Sequence, residues 1–147
     1  MKEVLITIKG KSYTEGKGAD VTELCAVGRL NKGKDVVSVT YDDSMGVGVK
    51  GVKATLKAFD SGMVTIERTG ILEHKLMVEK DKRHLCLYTT PYGNMTVGVF
   101  GEEIKNRLTE QGGSIYMKYS IDINSGLISE NEIEINVKAA DKNVGIS

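Results

Sequence analysis

The chain has 147 residues, enough for one domain with a real core. Lys+Arg and Asp+Glu both number 20, and the lysines stand singly among acids, so the sequence lacks the basic stripe that marks a nucleic-acid binder. No apolar run approaches the ~20 residues of a membrane-spanning helix, and "MKEVLITIKGK" is too short and too charged for the apolar part of a signal peptide. The expected setting is therefore the cytoplasm, with neither nucleic acid nor membrane as a partner.

From the N-terminus the dominant period is two. "VLITIKG" alternates Val4, Ile6 and Ile8, and "LCAVGRL" sets Leu24, Ala26, Gly28 and Leu30 against Arg29, with Glu23 just before it sharing Arg29's face. "VVSVTYDD" groups Val37, Val39 and Tyr41. "KATLKAF" opposes Ala54, Leu56 and Ala58 to Lys53, Thr55 and Lys57. The same region also fits a helical stripe of Val52, Leu56 and Phe59, but the alternation and Thr55 favour a strand. "MVTIERTG" places Arg68 on the face of Val64 and Ile66, and "LEHKLMVEK" places His74 with Leu72, Leu76 and Val78. "HLCLYT" is strand-like without declaring which face turns inward. "EEIKNRLTE", 102–110, fits one helical turn or a strand, and Ile104, Asn106 and Leu108 at spacing two favour the strand. "SIYMKYSIDIN" alternates Ile115, Met117, Tyr119, Ile121 and Ile123, and "NEIEINVKA" alternates Ile133, Ile135 and Val137. Residues 139–147 read as a frayed tail.

Turn chemistry separates these runs at 14–20, 31–35, 60–62, 111–113 and 124–126, and "TPYG" at 90–93 holds the one proline. Half-buried strands joined by short turns pair with their sequence neighbours. The fold class expected over 1–147 is all-β: one antiparallel up-and-down barrel, closed or nearly closed, of roughly 8–10 strands. Closure removes the two edges that an open meander leaves for aggregation. With no Trp and two Phe the interior has few large plugs, and Arg68 and His74 face it. A buried Arg needs an acid, a carbonyl, water or a ligand anion beside it. On this reading the apolar face of 114–124 lines a partly open barrel.

Several stretches, "VLITIKG", "VSVTYDD", "TIERTG", "LYTTPYG" and "GGSIYMKYSIDINSGLISENEIEINV", resemble in order the bacterial YwiB-like family of unknown function. The resemblance spans about 3–138 and implies a calycin-like, lipocalin-type β-barrel. It implies no activity. The recurrent family residues fall on Arg68, Tyr88, Thr90, Pro91, Tyr92 and Gly93, with Tyr41, Tyr119 and Gly113. Pro91 and Gly93 are explained by a turn alone; Arg68, Tyr88 and Thr90 are not. The Gly-x-Trp of secreted lipocalins and the terminal Arg-x-Tyr of intracellular fatty-acid binders are both absent.

Sharper motifs do not survive their context. "GVGVKG", 46–51, is a literal GxGxxG, but a dinucleotide site needs a βαβ unit and a meander offers none, so it reads as a glycine-rich rim loop. His74 and His84 form no HxH or HExxH pair; a cluster with Cys86 would need neighbouring strands to converge. Cys25 and Cys86 lie far apart and read as reduced thiols packed in a sheet. The Glu130, Glu132, Glu134 row is a solvated face, and no nucleophile elbow is present. What remains is a cytosolic binder of a small, partly apolar or anionic metabolite, with Arg68, His74, Tyr88, Thr90, Tyr41 and Tyr119 as the interior candidates. It calls for no cofactor or metal, acts as monomer or homodimer, and is not expected to be an enzyme. The alternative is a non-catalytic interaction module with a packed barrel.

Overall fold

The computed structural model describes residues 2–14, 18–42, 51–70, 73–90, 93–123 and 126–140. Ten strands follow one another: β1 (Lys2–Thr14), β2 (Gly18–Gly33), β3 (Val36–Asp42), β4 (Lys53–Phe59) and β5 (Val64–Thr69), then β6 (His74–Val78), β7 (Arg83–Thr90), β8 (Gly93–Thr109), β9 (Gly112–Ile123) and β10 (Gly126–Ala139). No helix occurs among the described residues. The period-two reading decides both ambiguous stretches: 53–59 is β4, and 102–109 is the second half of the long β8. Each strand pairs antiparallel with its sequence neighbours, and β1 pairs β10 from Val4–Ala139 to Thr14–Ser129. That last ladder closes the barrel and leaves no free edge at β1 or β10.

Alternation then assigns the faces. Val4, Ile6, Val39, Leu56, Val64, Val78, Val99, Ile115, Met117 and Ile135 turn inward and are completely enclosed. Leu30, Ile66, Leu76, Val97 and Val137 belong to the same cluster. Each such side chain contributes about 1.5–3 kcal/mol by leaving water. The face of 114–124 meets a filled core along half its length, where Ile115 and Met117 see no solvent, and is only partly covered at Ile121 and Ile123.

The turns at the packed end carry the local strain. Asp35 closes the β2–β3 hairpin at φ 60°, a left-handed setting that Asp tolerates, and its carbonyl accepts the Asp60 N–H at 2.9 Å. Asp81 does the same at φ 62° in the β6–β7 turn. The tip of that hairpin folds onto β8: the Asp81 N–H donates to the Gly101 carbonyl (2.8 Å), and the Gly101 N–H donates to Lys82 (3.3 Å). A side chain at 101 would press into the Glu79 carbonyl, so glycine is required there. The β8–β9 register slips at the same point, between Gly101 and Glu103.

Two expectations need adjusting. Cys86 is buried as expected, but Cys25 is exposed, because it shares the parity of Glu23 and Arg29 on the outer wall. Ala139 still pairs with Val4 and the Ala140 N–H donates to Glu3, so the sheet runs past the expected start of the tail; 141–147 lie outside the described residues. So do most of "GVGVKG" (46–50) and the centre of "TPYG" (91–92).

Candidate functional site

In an up-and-down meander alternate connections share one end of the barrel. The strand ends at Thr14, Asp42, Thr69, Thr90 and Ile123 all lie at the end opposite the packed turns. Toward that end the interior changes chemistry. Across β3 to β8 one row of the register reads Tyr41, Ala54, Arg68, His74, Tyr88, Met95. Four of the six residues expected to line a site thus fall in a single row. Thr90 lies two positions further along β7, opposite Gly93. Tyr119 belongs elsewhere, on β9 between Gly101 and Asn131. Tyr41 and Tyr119 are buried, whereas Arg68 and His74 are half-buried. All four are engaged in polar or ring interactions.

The register also settles β7. Cys86 stands opposite Val97 and His84 opposite Val99, so His84 and Cys86 take the inner face. Leu85 and Leu87 are left outside, 65% and 48% exposed.

Two inward polar residues went unnoticed in the sequence. Asn131 and Ser129 are 9% and 8% exposed, and the Asn131 Nδ2 donates to Ser129 Oγ at 3.0 Å. Their odd numbering matches Ile133, Ile135 and Val137, a parity that could have found them. Asn131 pairs with Tyr119 and Ser12, so β1, β9 and β10 bring a second polar group of residues together.

A cavity of about 390 Å³ opens where β5, β6 and β7 meet, lined by Arg68, His74, Lys75, Met77, Cys86 and Leu87 among others. A larger groove of about 620 Å³ runs over β2 and β3, between Glu3, Arg29, Ser38, Thr40, Tyr41 and Lys53. Its lining is mostly outer-wall and charged in both signs.

Titration chemistry in these walls is structural. Burial pushes the Cys86 thiol up, although the Met77 backbone N–H and Lys75 pull the other way, so the thiol is a poor nucleophile. His84 Nε2 sits 2.9 Å from Glu79 Oε1 and Lys82 Nζ 3.2 Å from Glu79 Oε2; both contacts hold the Glu79 carboxyl below its ordinary value. His84 is therefore committed to Glu79, while His74 stands opposite Tyr88. Among the described residues no three His, Cys, Asp or Glu converge on a metal-sized site. On the outer wall Arg83 reaches over Gly98 to clamp Asp122 with bonds of 3.0 and 2.6 Å, which raises the guanidinium pKa further.

The sequence model of the domain of unknown function DUF1934 matches residues 6–135. The chain belongs to the DUF1934 family. Its fold is similar to that of the ywiB protein from Bacillus subtilis, with a TM-score of 0.82 over 95% of this chain and 93% of that one. At 16% identity the likeness is one of architecture. No curated protein matches. The resemblance drawn from the ordered strand motifs therefore holds for this DUF1934 member, and so does the all-β antiparallel barrel. No helix of the described residues is long and apolar enough to cross a membrane.

Proposed function

We propose that this DUF1934 barrel is a non-catalytic binder of a small, partly apolar anion, working in the cytoplasm, a compartment its two free cysteines fit. One observation carries the reading: a single cavity gathers Arg68, His74 and Lys75 with the apolar Met77, Leu85 and Leu87, and with Glu67 and Glu73 also in its lining. Ligand sites of this kind combine mostly apolar walls with a few placed polar groups. Arg68 supplies a permanent charge and a planar donor fork suited to a carboxylate.

The test is thermal. Ligand at about a hundred times its dissociation constant stabilises the native state by about 2.7 kcal/mol. In a domain of this size that raises the melting temperature by about 5–10 °C. Fatty acids, small carboxylates and phosphorylated metabolites form the panel, and Arg68→Leu should erase the shift for an anion while sparing it for a neutral compound. The competing reading, a packed interaction module, draws on the completely enclosed side chains from Val4 to Ile135. It prevails if nothing in the panel moves the melt.

A further inference from the structure

We propose that the ligand reaches its site through the side of the barrel, between β6 and β7, and that this seam suits a single-chain amphiphilic carboxylate. The ligand half rests on the binding reading above; the seam stands on separate observations. β6 and β7 share one pair in register, His74 opposite Tyr88, whereas β5 and β6 stay paired from Val64–Val78 to Arg68–His74. At the hairpin end the Glu79–Lys82 bridge is one residue out of step with that pair. Between the two, no further backbone pair joins β6 to β7 among the described residues. The wall is thus fastened at both ends of the seam and loosely in the middle.

Chemistry on the two sides of the seam matches one kind of passenger. Outside, Leu85 and Leu87 are exposed beside the half-buried Met77, where an antiparallel wall normally shows polar side chains. On the inner side the same cavity is lined by Arg68 and His74, and at its outer rim by Lys75, Glu67 and Glu73. Glu67, on the outer face, is matched across the ladder by Lys75. A hydrocarbon chain lying along Met77, Leu85 and Leu87 would carry its carboxylate to Arg68 and His74.

The experiment uses Cys86 as a reporter in Cys25→Ser protein, where it is the sole thiol. The control is Val39→Cys with Cys25→Ser and Cys86→Ala, because Val39 is enclosed in the unbroken ladders between β2 and β4. Native protein is labelled with N-ethylmaleimide, with and without decanoate. Cys86, itself only 3% exposed, should react at least tenfold faster than the Val39→Cys thiol, and decanoate should slow it. Amide hydrogen exchange on the unmodified protein gives a second readout that needs no variant: β6 and β7 amides should exchange well before those of β1 and β2. Equal thiol rates with equally protected amides overturn the seam, even where decanoate binds, since the route is then the end of the barrel. Fast labelling indifferent to decanoate, in a protein whose melt decanoate leaves unmoved, overturns the amphiphilic carboxylate here; the function above falls only when the rest of its panel also leaves the melt unmoved.

Discussion

At the end of the barrel where β2 turns into β3 and β4 into β5, the inward side chains are Val37, Val39, Leu56, Ala58 and Val64, all buried. At the other end the same strands and their neighbours bring Arg68, His74, Asn131 and Ser129 to the inner face. Backbone pairing runs through both ends, so hydrogen bonding of the sheet does not separate them. The difference lies in what fills the alternate positions. An apolar layer is stabilised by every methylene it removes from water, whereas inward polar groups must each find a partner or cost free energy. A fold that carries both has a packed half that supplies stability and a polar half that draws on it, and a binding site belongs in the second.

Paired truncations on one strand test that division most severely. Ile115→Ala should destabilise by about 2–5 kcal/mol, because a completely enclosed side chain leaves a cavity. Ile121→Ala, on the same face of β9 but partly exposed, should cost less than half as much. Urea unfolding of the two variants reads the contrast, and equal losses would erase it. Next in size is Gly101→Ala, where the added carbon meets the Glu79 backbone; overpacking of that kind costs about 1–3 kcal/mol. Its loss should show equally in urea and in faster exchange of the β6–β7 hairpin amides.

Smaller effects belong to the polar half. Arg68→Leu should change stability by less than about 1 kcal/mol or raise it, since an apolar isostere equals a half-buried charge that has cost desolvation. A large loss would place Arg68 in the structural core instead. The smallest expected effect is one of pH. His84 and Lys82 lower the Glu79 pKa in the folded chain, so its contribution is present above the ordinary carboxyl value and lost as pH falls through the lowered one. Glu79→Gln should flatten that part of the curve between about pH 5 and pH 3, measured as urea midpoints. An unchanged acid slope would show that the hairpin carboxylate does not couple to folding.

Much of this was legible in the residues. Strand faces followed from parity, and parity alone put Arg68 beside Val64 and His74 beside Leu76. Turns at Asp35 and Gly62 announced themselves by residue type. Parity says nothing of height, however, which is why Tyr119 was grouped with Arg68 although β9 carries it to a different wall. Nor does it choose a face when both are apolar: Leu85 and Leu87 compete with Cys86 and His84 for the inside of β7, and the register with Val97 and Val99 decides. Asn131 and Ser129 were overlooked because the inward face of that strand was read only from its apolar members, Ile133 onward. The Cys25 parity was legible all along.

The ladder joining β1 to β10 sets a rule for folding. Every other ladder is a hairpin between sequence neighbours, but this one brings Val4 to Ala139. Its loop-closure entropy is the largest in the molecule, and non-local pairing of this sort slows folding. Until it forms, nine hairpins' worth of finished sheet still presents two unpaired margins. A nascent chain on the ribosome cannot finish the barrel before β10 emerges, and a refolding chain at high concentration can have its margins met by another molecule first. Refolding yield should therefore fall with protein concentration more steeply than native stability alone would suggest.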